Sequence, residues 1–167
     1  MRQLLLMRHA NASWPDQGSA DFTRPLSSEG QQQAQQMGQW LAQQAITADH
    51  IICSPALRTC ETLDQLKQHI AVNQVDIEER AYLPNLHTLL AILRDAPPHH
   101  STLLLTHNNG AEELLTYLCG KHITNPSHGE LMPPAALAQI QLPDHWNDLQ
   151  PQSGKLTQLI HPKNLGI

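Results

Sequence analysis

The sequence has few aromatic residues and no general excess of positive charge. Phe, Trp and Tyr together make up 4% of its 167 residues, too few for the base-stacking platforms of single-stranded nucleic-acid-binding proteins. The formal net charge is −5, so the chain has no broad basic surface that would attract polyanions. These two shortages argue against nucleic acid as a partner.

Long apolar runs are also missing. The runs at residues 4–7 and 103–105 fall far below the roughly 20 residues that a membrane-spanning helix needs. Arg8 and His9 interrupt the N-terminal run before the apolar segment of a signal peptide could form. We therefore expect a cytoplasmic protein with no membrane partner.

Cysteine is scarce, and the eleven histidines are scattered. Cys53, Cys60 and Cys119 are odd in number and lack close paired spacing, which argues against a disulfide framework or a zinc knuckle and favours small buried residues. Neither H-x-x-x-H nor H-E-x-x-H occurs in the sequence. We predict no metal site and no cofactor.

Apolar strands that alternate with amphipathic helices indicate an α/β fold. Strands are predicted at residues 3–7, 50–53 and 101–106, and imperfect alternation at 136–142 and 155–161 is typical of strands near the edge of a sheet. We expect one domain over residues 1–167, a three-layer sandwich with a central, mostly parallel sheet and helices on both faces.

Two of the predicted helices carry a signal at their N-terminus. Ser27 or Ser28 can cap the helix that follows the first long loop. Asn109 with Glu112 resembles a capping box for the helix that follows residues 101–106.

Polar residues follow two of the predicted strands. Arg8 and His9 come directly after the first strand, and His107 comes directly after residues 101–106. Parallel sheets bind ligands beyond the carboxyl ends of their strands, so we expect the two histidines to meet there. Each histidine taken alone is better explained as a polar residue at a strand end.

Arg58 is predicted in the first turn of a helix with Ser54 as N-cap and Pro55 at the first helical position. The helix macrodipole disfavours a cation there by about 0.3–1 kcal/mol. The placement is favourable if an anion binds between the helix N-terminus and the guanidinium. The alternative is a surface arginine paired with Glu61.

Two arginines and two histidines in one pocket suit phosphoryl transfer without a metal. A histidine attacks phosphorus as the neutral imidazole, and nearby guanidiniums favour that form because they lower the imidazole pKa. The same guanidiniums neutralise the phosphoryl oxygens. The expected intermediate is a covalent phosphohistidine.

Three segments resemble the signature regions of the histidine phosphatase superfamily: residues 6–10 (LMRHA), 54–62 (SPALRTCET) and 104–108 (LLTHN). Residues 21–26 (DFTRPL), followed by Gly30, are similar to a motif of its SixA-type phosphohistidine phosphatase branch, as are residues 131–142 and 162–165. The resemblance covers nearly the whole chain and implies a phosphoglycerate-mutase-like fold.

The resemblance also implies a role for each of six residues. They are His9 as the phosphate acceptor, Arg8 and Arg58 as phosphate clamps, Arg24 as a third clamp, His107 as the second pocket histidine and Asn108 as a residue that shapes the pocket. Asn108 is equally a candidate for a turn or a helix cap. Ala10 stands where the family most often has glycine, and Asn109 where it often has proline. We expect activity to survive both departures.

The substrate class depends on whether the site holds a general acid. Ester-directed members of the superfamily protonate the alkoxide leaving group with an acidic residue from the middle of the chain, where the candidates here are Asp76, Glu78 and Glu79. Solvated charges are the ordinary expectation for these residues. Imidazole leaves from phosphorus readily, so a phosphoramidate needs a strong acid less.

The lack of an obvious acid favours phosphohistidine in a protein as the substrate, for example a phosphorelay histidine-containing domain. A small-molecule phosphomonoesterase or phosphomutase is one alternative. A phosphoprotein-binding module that has lost turnover is the other.

Overall fold

The strands of the chain form one mixed sheet in the computed structural model, which describes residues 1–16 and 18–165. The strands are β1 (Arg2–Arg8), β2 (Ala48–Cys53), β3 (Val72–Ile77), β4 (Ser101–Thr106), β5 (Leu137–Leu142) and β6 (Lys155–Ile160). Their order in the sheet is β3-β2-β4-β1-β5-β6. The first four are parallel to one another, while β5 pairs antiparallel with β1 and β6 pairs antiparallel with β5 at the edge of the sheet. The predicted mostly parallel sheet is confirmed.

Four helices cover the two faces of this sheet: α1 (Ser28–Gln43), α2 (Leu57–Lys67), α3 (Leu86–Asp95) and α4 (Gly110–Cys119). Successive side chains of a strand point to opposite faces. Leu4 and Leu6 of β1 therefore pack in one core with α3 and α4, whereas Leu5 and Met7 pack in a second core with α1 and α2. The predicted three-layer sandwich is confirmed. No helix in the described part of the chain is long and apolar enough to cross a membrane.

Helix α2 begins two residues later than the sequence predicts. Its N-cap is Ala56, which makes no side-chain capping bond. The hydroxyl of Ser54 instead lies 2.7 Å from Nε2 of His107 and accepts a weaker bond from the Ala56 N–H. The prediction of Ser54 as N-cap and Pro55 as the first helical residue was wrong because this serine is engaged by a residue from another strand.

The ends of α1 and α4 differ in how well their caps were predicted. Ser27 caps α1 as expected, since its hydroxyl accepts the N–H of Gly30. The capping box predicted for α4 is wrong. Asn109 makes no side-chain capping bond, and the Glu112 carboxylate accepts the N–H of Met132 at 2.8 Å, tying the loop that precedes β5 to the helix.

Candidate active site

The candidate site lies at the carboxyl edge of the sheet, where β1 and β4 end side by side. Arg8 pairs with Thr106 in the parallel register, so the next residues, His9 and His107, leave adjacent strands at the same level. Their ring centroids are 5.0 Å apart. The two histidines therefore meet, as the strand pattern predicted.

His9 is held in one tautomer by its neighbours. Its Nδ1 lies 2.7 Å from the carbonyl oxygen of Ala10, and because a carbonyl only accepts, Nδ1 carries the proton. Nε2 keeps its lone pair and accepts a bond from Nε of Arg58 at 3.3 Å. Burial, aided by the guanidiniums of Arg58 and Arg8 and opposed by the Ala10 hydrogen bond, lowers the His9 pKa to about 3. The ring is therefore neutral at physiological pH.

His107 takes the opposite tautomer. Nη2 of Arg58 lies 3.2 Å from its Nδ1, and because a guanidinium only donates, Nδ1 is the acceptor. The proton is then on Nε2, which donates to the hydroxyl of Ser54. Burial, together with nearby His9 and Arg58, lowers the His107 pKa to about 3. The rings of His107 and Tyr82 also make an edge-to-face contact, with their centroids 5.4 Å apart.

Arg58 lies in the first turn of α2 and is 2% exposed. It donates from Nη1 to the carbonyl oxygen of Asp21 at 2.7 Å and from Nη2 to its carboxylate at 3.0 Å. The Glu61 carboxylate instead accepts a hydrogen bond from the N–H of Leu26. The interpretation of Arg58 as a surface arginine paired with Glu61 is therefore wrong. Its guanidinium contacts both histidines and is fixed by one carboxylate.

Asp21 is the residue that the sequence analysis missed in this cluster. Its carboxylate receives hydrogen bonds from the Tyr82 hydroxyl, from Arg58 and, at 3.4 Å, from Nη1 of Arg24. Desolvation alone would raise the Asp21 pKa, but the hydrogen bonds from Tyr82 and Arg58 outweigh it and lower the pKa to about 2. Asp21 is thus an anion that orients guanidiniums. The DFTRPL motif contained it, but nothing in the sequence linked it to Tyr82.

Arg8 reaches across the site to the loop between α4 and β5. Its Nη1 donates to Glu130 at 2.6 Å and to the carbonyl of Met132 at 3.1 Å. Asn108 donates from Nδ2 to the same two acceptors. Nε of Arg8 is buried and has no hydrogen-bond partner among the described residues. A buried donor of this kind is costly unless a ligand accepts from it.

Arg24 completes the set of guanidiniums. Its Nε donates to the carbonyl of Ser13 at 3.2 Å, and its guanidinium lies 3.8 Å over the ring of Trp14. The Arg24 side chain therefore links its own loop segment to the one that contains Ser13 and Trp14. It also lines the same cleft as His9.

Together these side chains line a cleft of about 280 Å³. The cleft brings together all six residues that the sequence singled out, which are Arg8, His9, Arg24, Arg58, His107 and Asn108. Asp21 is the one carboxylate among its described lining residues.

The three acidic candidates from the middle of the chain are engaged elsewhere. Asp76 is bonded to His50 at 2.6 Å. Glu78 is bonded to Arg80, whose hydrogen bond outweighs desolvation and lowers the Glu78 pKa. Neither these two nor Glu79 lines the cleft within the described part of the chain.

The alanine at position 10, where the family most often has glycine, fits the backbone found here. Ala10 is fully buried, and its φ is outside the left-handed region that would require glycine. Its N–H donates to the hydroxyl of Thr62 at 3.1 Å. The peptide bond between Asn108 and Asn109 is cis.

The family model described as histidine phosphatase superfamily (branch 1) matches residues 4–87. That span carries β1, the DFTRPL motif and the first turn of α2. The chain belongs to the histidine phosphatase superfamily. As a member of this superfamily it is a phosphatase. Some of the proteins that it resembles belong to the SixA branch.

Three relatives illustrate the histidine phosphatase match. An uncharacterized chloroplastic protein of Arabidopsis thaliana is 30% identical over 138 residues, which are 73% of this chain but only 61% of that protein. The phosphohistidine phosphatase SixA of Escherichia coli is 31% identical over 64 residues, or 38% of each chain. The structure of a putative phosphohistidine phosphatase SixA from Nakamurella multipartitia is 29% identical, covers 96% of each chain and superposes with a TM-score of 0.81.

Proposed function

We propose that this phosphatase removes the phosphoryl group from a phosphorylated histidine in a protein, through a covalent phosphohistidine on His9. The observation that carries the proposal is the Nε2 lone pair of His9, kept unprotonated in a cleft that also contains three guanidiniums. Similarity to proteins named phosphohistidine phosphatase SixA supports the same substrate class.

In the first step, Nε2 of His9 attacks phosphorus and the bond from phosphorus to the substrate imidazole breaks. The departing ring takes up one proton from solvent, and the water that attacks in the second step returns one. Arg58 and Arg8 bind the phosphoryl oxygens and neutralise their charge, and Arg24 is the third clamp. The unpartnered Nε of Arg8 supplies a donor that is already desolvated. In the second step, water attacks the phosphorus on His9, which releases inorganic phosphate and regenerates the neutral imidazole.

The absence of a suitable proton donor favours a phosphorus–nitrogen bond over an ester. Asp21 is the one carboxyl group among the described residues that line the cleft, and with a pKa of about 2 it holds no proton to donate at neutral pH. The neighbouring Glu130 carboxylate forms an ion pair with Arg8. An alkoxide leaving group needs such a donor, whereas imidazole leaves from phosphorus without a strong acid. The partner we propose is a phosphorelay histidine-containing domain.

Trapping of the intermediate tests this function. The wild-type protein and His9→Ala are mixed with a protein phosphorylated on histidine, quenched in base and examined for phosphate on His9 that is stable to alkali and lost in acid. We expect label on the wild type alone. A binding module without turnover would never carry the label.

A rate comparison tests the substrate class. We expect kcat/KM on the phosphohistidine protein to exceed that on an alkyl phosphate such as O-phosphoserine by at least about 100-fold, since the alkoxide leaving group finds no proton donor in the cleft. Efficient ester turnover that falls in Glu78→Gln or Glu79→Gln would instead indicate a phosphomonoesterase.

The proposed location is the cytoplasm, which the three free thiols support.

A further inference from the structure

Exposed apolar side chains are concentrated at the mouth of the active-site cleft. Six large apolar residues of the described chain are exposed, and these are Met1, Trp14, Phe22, Leu57, Ile77 and Leu83. Three of them adjoin the cleft. Trp14 lies under the guanidinium of Arg24, Phe22 packs edge-on against Tyr82 at 5.2 Å between ring centroids, and Leu83 lines the cleft directly.

We call Trp14, Phe22 and Leu83 the apolar rim. Their exposed fractions are 60%, 42% and 55%, although the whole chain contains only one Phe and three Trp. Single exposed apolar residues are common on protein surfaces, but exposed apolar groups gathered around one cleft mark an interaction site.

The backbone of Leu83 adds an independent observation. Its φ is +47°, in the left-handed region that a residue with a Cβ adopts only at an energetic cost. A leucine that is 55% exposed gains little packing energy in return. Non-glycine residues held in this region are concentrated at ligand-binding sites and switch regions.

The size of the cleft limits what fits inside it. Its volume of about 280 Å³ lies just below the usual range of ligand sites, which is about 300–1,000 Å³. A phosphoryl group with an attached imidazole ring fits in such a space but a folded protein does not, so the remainder of a protein substrate must lie over the mouth. A small phosphate ester would leave the apolar rim in water.

We infer that the apolar rim docks the apolar surface that surrounds the phosphohistidine of a folded protein substrate. This inference rests on the proposed function. The charges are complementary: the guanidiniums of Arg8, Arg24 and Arg58 receive the dianionic phosphoryl group at the centre, and the uncharged rim meets apolar side chains around it.

The test compares two substrates that carry the same reacting bond. One is a phosphohistidine-containing phosphotransfer domain, and the other is the free amino acid Nε-phosphohistidine. In Phe22→Ala and Leu83→Ala, we expect the ratio of kcat/KM on the protein to that on the amino acid to fall about tenfold, mainly through KM for the protein, as for other central interface residues. Ile77→Ala is the matched control, because Ile77 is 53% exposed on β3 and is not part of the cleft lining.

Each other result overturns the inference. An unchanged ratio means that the rim does not contact the protein substrate, and an equal fall in Ile77→Ala means that the effect is not local. If the wild type is a dimer in sedimentation velocity and Leu83→Ala is a monomer, the rim binds a second copy of the chain. Failure of the proposed function looks different, since wild-type protein would then release phosphate from neither phosphohistidine substrate.

Discussion

At the residue scale, the chemistry depends on how neighbours assign protons to two buried histidines. The Ala10 carbonyl fixes the proton of His9 on Nδ1, while Arg58 fixes that of His107 on Nε2. Burial keeps both rings neutral well below the usual pKa of 6.5. The lone pair that we propose as the nucleophile therefore follows from contacts made by one arginine and one main-chain carbonyl.

The proton assignment can be measured directly. In long-range ¹H–¹⁵N spectra of the free protein at pH 5, we expect both rings to be neutral, with His9 protonated on Nδ1 and His107 on Nε2. An ordinary histidine would be mostly charged at this pH. The same tautomer in both rings, or a titration midpoint near 6.5 for either, would contradict the assignment.

Asp21 is the second residue whose role can be isolated. Asp21→Ala removes the acceptor that holds Arg58 and Tyr82, so we expect kcat/KM to fall about 10- to 100-fold, the equivalent of one hydrogen bond to a charged group. Glu78→Ala is the matched control, since Glu78 also binds an arginine, Arg80, but outside the cleft. Equal values of kcat/KM for the two variants would show that Asp21 does not contribute to catalysis.

At the element scale, the close packing of α1 against the first loop positions one wall of the cleft. A Cβ added to Gly30 would lie 1.9 Å from the carbonyl oxygen of Asn11, a residue that lines the cleft. The N-terminus of α1 can approach the loop backbone this closely only with glycine at that position.

Gly30→Ala should therefore displace the loop. We expect a loss of about 1–3 kcal/mol in the free energy of unfolding, as for other overpacked sites, together with reduced turnover. Urea denaturation measures the first and steady-state kinetics the second. Gln35→Ala, on the exposed face of α1, should stay within about 0.5 kcal/mol of the wild type. Equal stability of Gly30→Ala and wild type would show that the loop yields freely.

Most of these elements could be predicted because their signals are local. The leucine patterns of β1, β4 and α3 predict two strands and a helix from local spacing alone. Arg8, His9 and His107 can be identified as candidates because they lie at or directly after the ends of strands. The errors have another origin. Ser54 bonds a residue 53 positions away, and Asp21 meets Tyr82 at a separation of 61. Such pairings depend on how loops fold over the sheet edge, which no local pattern encodes.

At the scale of the whole molecule, we propose that residues 1–167 form one domain. The two cores share the strands of a single sheet, since alternate side chains of β1 enter opposite cores. The site is built from the first loop, α2, the end of β4 and the loop before β5, so its geometry depends on the fold being complete.

The buried histidines couple this fold to pH. Their folded pKa values lie below 6.5, so the unfolded chain binds more protons than the folded one, and stability falls as the pH drops from about 6.5 towards 3. The slope is at most about 1.4 kcal/mol per pH unit for each group. We expect His107→Asn to show a shallower loss in urea titrations across this range. An unchanged slope would mean that His107 titrates normally.

The ion pair between Arg8 and Glu130 has a consequence for how a catalytic cycle ends. The Glu130 side chain is 55% exposed and only 2.6 Å from Nη1 of Arg8, so it competes with orthophosphate for that guanidinium. Orthophosphate should accordingly be a weak product inhibitor. We expect Glu130→Gln to lower its inhibition constant about tenfold, because one competing anion is gone. An unaltered inhibition constant would mean that the Glu130 carboxylate does not compete with the product for Arg8 and so does not promote its release.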